Sequence, residues 1–161
     1  MKKTDKNKHR IRELRVSDLD DDYFALLCEL SGQSQTLTKD MVKSCWSKYN
    51  SNSDYCTFVC EDTPEQPHLG GKVIGTASVL LENKMLHYGS TVGHIEDVVV
   101  AKQTRLKGAG RSLIDKCIEF CRTNECYKVI LDCSNENVAF YEGCGFRVAE
   151  NCMRIDLEYD Y

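Results

Sequence analysis

The sequence lacks any run of about 18 consecutive apolar residues, which a membrane-spanning helix requires, and it lacks a dense basic segment. Its 161 residues carry 21 Lys and Arg against 25 Asp and Glu, giving a net charge of −4. Nucleic-acid binding requires a basic face that neutralises phosphates, so this charge balance argues against it. We expect a cytoplasmic protein that acts on small molecules.

Cysteine pairs at metal-binding spacing are also missing, although the chain has ten cysteines and four histidines. Structural zinc sites use C-x-x-C pairs, whereas close pairs here, such as Cys56 and Cys60, are four residues apart. The basic residues 1–9 are not followed by the apolar segment of a signal peptide. We predict reduced thiols, no metal site and a disordered tail over residues 1–9.

Residues 10–161 show the pattern of a single α/β (α+β) domain without repeats or linkers. In the first half we predict a helix capped by Ser17, a second helix opening at Thr38, and a β-hairpin over 55–60 and 72–81. The second helix carries an apolar stripe that we expect in the core. Its members are Met41, Val42, Cys45, Trp46 and Tyr49.

The second half has the pattern of one parallel β-α-β unit. Residues 94–100 form an apolar run after two acids and predict a central strand buried on both faces. A helix with an apolar stripe and a strand over 127–133 follow. The stripe consists of Leu113, Ile114, Cys117, Ile118 and Cys121. A short helix over 137–142 and strands over 146–148 and 153–157 complete the prediction.

Two glycines, Gly108 and Gly110, stand between the predicted strand and helix. They remove side chains that would block a close approach, and the new helix presents N–H groups and its positive dipole end to an anion. A pyrophosphate suits such a site. The spacing is neither a P-loop nor a dinucleotide fingerprint. By themselves, the glycines also fit an ordinary strand-to-helix turn.

The pattern Arg105-x-x-Gly108-x-Gly110 after the strand resembles the [QR]-x-x-G-x-[GA] coenzyme A motif of GNAT acetyltransferases. A second segment, from Asn137 through Tyr141 to Gly145-Phe146, resembles another signature of that superfamily. Within it, segments 93–100, 126–133 and 140–146 are similar to the glucosamine-6-phosphate N-acetyltransferases. The resemblance covers residues 72–146 well and the first 70 residues loosely.

The resemblance implies a GNAT fold, with a mixed sheet of about six or seven strands, a splayed parallel pair and about four helices. It also implies that acetyl-CoA lies in the gap between the splayed strands, where the acceptor amine attacks the thioester directly. The implied cofactor contacts are Val98, Val99, Val100, Arg105, Leu106, Lys107, Gly108, Ala109, Gly110, Arg111, Asn137 and Tyr141.

Three acids stand at predicted strand ends, where α/β sites gather. An amino sugar arrives partly as an ammonium ion, so a carboxylate beside it can orient the amine and accept its proton. We assign Glu96 as the base, Asp132 as the anchor of the amine or a hydroxyl, and Asp97 to substrate binding. By resemblance, Tyr141 stabilises the departing thiolate. Salt bridges for the acids and a core position for Tyr141 are the alternatives.

The resemblance places the sugar phosphate near Lys84 and His87, with Ser31 as a weaker match. A solvated loop explains Lys84 and His87 equally simply, and Asn137 has a similarly simple role as a helix cap. Relatives tend to end in a basic residue that reaches the phosphate, whereas this chain ends in an acidic segment. Arg154, with its bidentate fork, is our candidate for that contact.

Three functions remain open from the sequence. The resemblance implies acetyl transfer to glucosamine 6-phosphate, which supplies UDP-N-acetylglucosamine synthesis. Another amine, such as a protein N-terminus or lysine, is the first alternative, and a non-catalytic acyl-CoA-binding module is the second. The resemblance also implies a homodimer in which the C-terminal strand joins the partner's sheet.

Overall fold

A computed structural model of the chain describes residues 9–32, 38–62, 71–104 and 107–157. The chain divides into two compact units, residues 1–131 and 132–161, which we describe separately. The predicted tail lies outside the described residues except for His9, which already belongs to the first strand. None of the described helices is long and apolar enough to cross a membrane.

The first unit is built on a five-stranded sheet whose strand order follows the chain. The strands are β1 (His9–Glu13), β2 (Tyr55–Asp62), β3 (Val73–Asn83), β4 (Thr91–Val100) and β5 (Cys126–Ile130). Strands β1 to β4 pair antiparallel, and β5 pairs parallel to β4. The predicted hairpin and β-α-β unit are both present. The described sheet has fewer strands than the six or seven expected.

Helix α3 (Ala109–Thr123) connects β4 to β5 and covers one face of the sheet. Four residues of its predicted stripe are buried: Leu113, Ile114, Cys117 and Cys121. The fifth, Ile118, is half-buried. Phe120 of the helix meets the Phe58 ring edge-on at 5.7 Å. Burial of this apolar stripe supplies the main core of the unit.

Helices α1 (Asp21–Ser31) and α2 (Lys39–Asn50) differ from the predictions. The cap of α1 is Asp20 rather than Ser17, because the Asp20 carboxylate accepts the N–H groups of Asp22 and Tyr23. Thr38 caps α2 as predicted. The apolar stripe of α2 is not in the core, since no residue of this helix is buried. Its described ring contact with the sheet is the Tyr49–Tyr55 stack, with centroids 4.1 Å apart.

A network of buried charges ties β1 to β2 and to the turn before α1. Arg12 donates two hydrogen bonds to Asp18, at 2.6 and 2.9 Å, and one to Glu61 at 2.8 Å. Glu61 also accepts from Arg10 at 2.8 Å and from the Gly71 N–H at 2.9 Å. Because every carboxylate oxygen involved has a partner, the charges are satisfied despite their burial.

The second unit contains one described α-helix, α4 (Val138–Gly143), close to the predicted bounds. Segments 146–148 and 153–157 do not form strands in the structure of this chain. The prediction of two strands there is therefore wrong. A strand needs a partner for its ladder, and none pairs with these segments among the residues described. Phe146 is half-buried. The other large apolar side chains of these segments are exposed: Val148, Met153, Ile155 and Leu157.

Candidate active site

The parallel pair β4–β5 opens into a gap. Its register ends at His94 opposite Ile130, whereas β4 continues to Val100. Strand β5 therefore ends before the predicted residue 133, and the second half of β4 lacks a β5 partner among the described residues. The predicted two-faced burial of β4 is wrong for this half: Glu96 is exposed and Val98–Val100 are half-buried. Val98–Val100, which we expect to pair with pantetheine, lie in this half of β4.

A β-bulge shapes the strand at the predicted acids. Thr76 pairs with Val99 and Ser78 with Glu96, so β4 has one more residue than β3 in this interval. Asp97 lies in the bulge with φ at +52°, a left-handed conformation uncommon for a residue with a side chain. Bulges re-aim side chains and are common beside active sites. Here the bulge lies at Asp97, within the half of β4 that has no β5 partner among the described residues.

The charge of Asp97 influences three tyrosines that belong to different elements. Partial desolvation raises the pKa of Asp97. Its charge acts in turn on Tyr23 of α1, Tyr49 of α2 and Tyr55 of β2, although burial is the main cause of their raised pKa values. The pKa of Tyr55 reaches about 12. These hydroxyls therefore stay protonated at neutral pH and can act as donors.

The N-terminus of α3 lies at the two glycines of the predicted coenzyme A motif. Gly108 holds the N-cap position at φ +90°, and no side chain caps the helix. A Cβ on Gly108 would meet nothing within 4 Å, so its backbone conformation, rather than lack of space, demands glycine here. Arg111 forms an ion pair with Asp115 at 3.0 Å. Arg105 and Leu106 lie outside the described residues, while Lys107 is exposed.

Lys84 belongs to a charged cluster that the sequence analysis missed. Its ammonium pairs with Glu82, whose other carboxylate oxygen lies 2.8 Å from His94 Nε2. These hydrogen bonds lower the pKa of Glu82. The cluster depends on the register of the β3–β4 hairpin, which brings residues 12 positions apart together. No local pattern in the sequence indicates it.

The other predicted phosphate contacts of the first unit are less suited to this role. His87 has a left-handed backbone, and its ring lies 4.9 Å from the Tyr127 ring in a tilted arrangement. Ser31 ends α1, and its hydroxyl donates to the Cys28 carbonyl at 3.4 Å. Ser31 therefore has a local helix-end contact, whereas Lys84 lies in a charged cluster.

The second unit carries the remaining predicted residues. Asp132 accepts a hydrogen bond from the Cys152 thiol at 3.3 Å. Asn137 holds the N-cap position of α4, but no side-chain hydrogen bond caps that helix, which argues against its role as a simple cap. Tyr141 is buried, with the Phe140 and Phe146 rings packed edge-on at 5.0 and 6.1 Å.

Arg154, our candidate for the terminal phosphate contact, already has an acidic partner. Its guanidinium Nε donates to Asp156 at 2.7 Å, and both side chains are exposed. Phosphate binding by Arg154 would have to replace this local pair. An exposed pair of this kind contributes little to stability.

Residues 15–146 match the acetyltransferase (GNAT) family. The chain belongs to this family. It is 35% identical over 141 residues to a glucosamine 6-phosphate N-acetyltransferase of Candida albicans, covering 86% of this chain and 89% of the relative.

Two solved structures of family members have similar folds. The glucosamine-6-phosphate N-acetyltransferase from Arabidopsis thaliana superposes with a TM-score of 0.77 at 33% identity, covering 94% of this chain and 99% of that one. An acetyltransferase of Trypanosoma brucei superposes with a TM-score of 0.78 at 36% identity, covering 92% and 99%. The chain is thus an acyltransferase with the family's fold.

Proposed function

We propose that this acetyltransferase transfers the acetyl group of acetyl-CoA to the 2-amino group of D-glucosamine 6-phosphate. The products are N-acetyl-D-glucosamine 6-phosphate and CoA, and the reaction serves UDP-N-acetylglucosamine synthesis. The main support from the structure is that β4 and β5 are no longer paired beyond His94. Glu96 and Asp97 lie on β4 at this point. The activity in the names of the relatives supports this choice of acceptor.

The residues of the first unit fit acetyl-CoA. Val98–Val100 offer backbone groups toward the gap, and the uncapped α3 N-terminus at Gly108 offers N–H groups to a pyrophosphate. The cofactor supplies an activated acetyl thioester. The protein's part is to hold this thioester beside the acceptor amine, which replaces a bimolecular encounter with a positioned reaction.

Three carboxylates bind the amino sugar and deprotonate its amine. Glu96 accepts the ammonium proton directly or through water, and Asp97 and Asp132 hold the amine or a sugar hydroxyl. The free amine then attacks the thioester carbonyl, so that a C–N bond forms as the C–S bond breaks. The nitrogen gives up one further proton, which passes to the departing thiolate to give the CoA thiol. Tyr141 donates a hydrogen bond to the departing sulfur.

No cysteine nucleophile is required in this scheme. Burial raises the pKa of both Cys117 and Cys121 to about 12, so these thiols are inert at neutral pH. Ten free cysteines also suit a reducing compartment, and we propose that the enzyme acts in the cytoplasm.

Lys84 is our main candidate for the phosphate. Lys84 and His94 both contact Glu82, so phosphate binding by Lys84 would have to replace its pair with this carboxylate. We assign His87 and Arg154 supporting roles, because His87 has a left-handed backbone and the Arg154 side chain is 79% exposed, against 35% for Lys84.

The test compares kcat/KM for glucosamine 6-phosphate and for glucosamine. Loss of a hydrogen bond to a charged group costs about 1.5–3 kcal/mol, so Lys84→Met should lower kcat/KM for the phosphosugar by roughly 10- to 150-fold. Activity toward glucosamine should not change. Lys43→Met, at an exposed position of α2, is the matched control. Equal losses on both sugars would exclude a phosphate role for Lys84.

We also propose a homodimer formed through the second unit. Met153 and Ile155 are 91% and 83% exposed, an unusual state for apolar residues in an extended segment. Pairing of this segment with a partner's sheet would bury them and complete the backbone ladder. A monomer in light scattering at assay concentration would contradict the dimer.

A further inference from the structure

Helix α1 carries an acidic residue at the end where the helix dipole disfavours one. Glu29 lies in the last turn of α1, and that turn contains no basic residue. Negative charge is favourable near the N-terminus of a helix and unfavourable near its C-terminus. The stability of its own helix therefore does not explain the position of Glu29.

The Glu29 carboxylate reaches a loop that lies 73 residues further along the chain. Its Oε2 atom accepts the backbone N–H of Lys102 at 3.1 Å. Tyr23 and Leu26 are buried and precede Glu29 at intervals of three residues, so Glu29 follows the side of α1 that packs into the unit. Glu29 itself is half-buried. The contact is thus made from a helix that the core holds in place.

The loop that Glu29 contacts joins β4 to α3. Ala101 donates its N–H to the Ile74 carbonyl at 2.8 Å, and Thr104 donates to the Ala101 carbonyl at 3.0 Å. The second bond closes a turn over 101–104, and neither bond uses the N–H of Lys102. Glu29 supplies the acceptor for that N–H and ties the turn to α1.

This loop leads directly into the predicted coenzyme A motif. Val98–Val100 precede the loop, and the motif residues Arg105, Gly108 and Gly110 follow the turn. The proposed function brings the anionic pyrophosphate of acetyl-CoA to the start of α3, so a carboxylate held on the same loop repels the ligand. Such a charge is unfavourable for phosphate binding. Its presence there indicates a role in holding the backbone that binds the phosphate.

A loop that is ordered before its ligand arrives binds more tightly, because the cost of ordering is not subtracted from the binding free energy. We propose that Glu29 is a positioning residue that holds the β4–α3 loop in the conformation that binds the pyrophosphate of acetyl-CoA. Glu29 acts through the Lys102 N–H and does not touch the coenzyme. The inference rests on the proposed role of this loop in binding acetyl-CoA, but not on which amine is the acceptor.

Three substitutions in the full-length protein test this role. Glu29→Ala removes the acceptor, and Glu29→Gln keeps an acceptor oxygen without the charge. Asp21→Ala, the control, removes another carboxylate of α1, which pairs with Lys39 instead of the loop. Isothermal titration calorimetry with CoA measures Kd without any acceptor amine. We expect Glu29→Ala to raise this Kd by about 3- to 10-fold, the factor that corresponds to one ordinary hydrogen bond. Glu29→Gln and Asp21→Ala should stay within about two-fold of the wild type.

A second comparison separates the loop from general distortion of the site. S-acetylpantetheine carries the acetyl thioester but lacks the pyrophosphate, so its binding does not use the loop. With any amine that the wild type acetylates, Glu29→Ala should raise the KM for acetyl-CoA at unchanged kcat and leave kcat/KM for S-acetylpantetheine unchanged. Hydrogen exchange of the Lys102 amide in the free protein, followed by NMR, should become faster in Glu29→Ala but not in Asp21→Ala.

An unchanged Kd for CoA in Glu29→Ala would overturn the inference. A lower Kd would also overturn it, since the carboxylate would then only repel the phosphates. Equal losses with acetyl-CoA and S-acetylpantetheine would contradict a role in the loop, as would a Glu29→Gln variant as impaired as Glu29→Ala. None of these results depends on the acceptor. If the wild type binds CoA but acetylates an amine other than glucosamine 6-phosphate, only the proposed substrate is refuted.

Discussion

Replacement of Glu61 by Gln should destabilise the first unit in a way that depends on pH. Burial by itself would raise the pKa of this carboxyl, but hydrogen bonds from Arg12, Arg10 and the Gly71 N–H outweigh burial and lower it from 4.5 to about 2. The charged form is therefore stabilised in the folded state. The network joins β1, β2 and the chain entering β3, so its loss should affect the whole unit.

The magnitude follows from the pKa shift. Each pKa unit corresponds to about 1.4 kcal/mol, so the shift from 4.5 to about 2 represents roughly 3 kcal/mol of folding free energy at neutral pH. A lowered folded-state pKa means that this contribution is fully present above the unfolded pKa. It is lost progressively as the pH falls from about 4.5 toward about 2.

Urea unfolding followed by Trp46 fluorescence, at about pH 7 and then at steps down to about pH 3, measures this effect. Since Gln does not titrate, the stability difference between wild type and Glu61→Gln should be about 3 kcal/mol at neutral pH and should shrink in acid. Glu150→Gln, at an exposed position, is the control. A difference that stays constant over this pH range would refute the assignment of the shift to Glu61.

Two further substitutions test the core and the chemistry. Gly93→Ala would place its Cβ 2.3 Å from Cys121 Sγ, so it should lower the free energy of unfolding by about 1–3 kcal/mol. The control Gly143→Ala should have little effect, because its Cβ would meet nothing within 4 Å. Equal thermal midpoints for the two variants would contradict this packing. Tyr141→Phe should lower kcat about 10-fold or more with an unchanged KM for acetyl-CoA, and a wild-type kcat in steady-state assays would remove Tyr141 from the reaction.

The sequence predicted best those features that are encoded over short distances. The stripe on α3 contains Leu113, Ile114 and Cys117 at helical spacing, and burial of these residues requires no other information. The same holds for the helix start at Gly108, where a positive φ and an adjacent strand are local properties. The antiparallel β2–β3 hairpin also follows from local strand and turn patterns.

Features that depend on pairing between distant segments were missed or wrong. The stripe of α2 indicated a core helix, but burial depends on what covers the helix. Among the described residues, its ring contact with the sheet is the Tyr49–Tyr55 stack. The extended segments 146–148 and 153–157 have strand-like sequences and no partner within the described chain. The Glu82–His94 contact and the Ser78–Glu96 pair both depend on register, which periodicity alone does not reveal.

A competition assay distinguishes the proposed acceptor from other amines. The enzyme receives limiting acetyl-CoA together with equal concentrations of glucosamine 6-phosphate, glucosamine and a lysine-containing peptide, and mass spectrometry identifies the acetylated product. If glucosamine 6-phosphate is the substrate, nearly all the transferred acetyl groups should be found in N-acetylglucosamine 6-phosphate. Acetylation of the peptide or of unphosphorylated glucosamine in preference to the phosphosugar would contradict the proposed substrate.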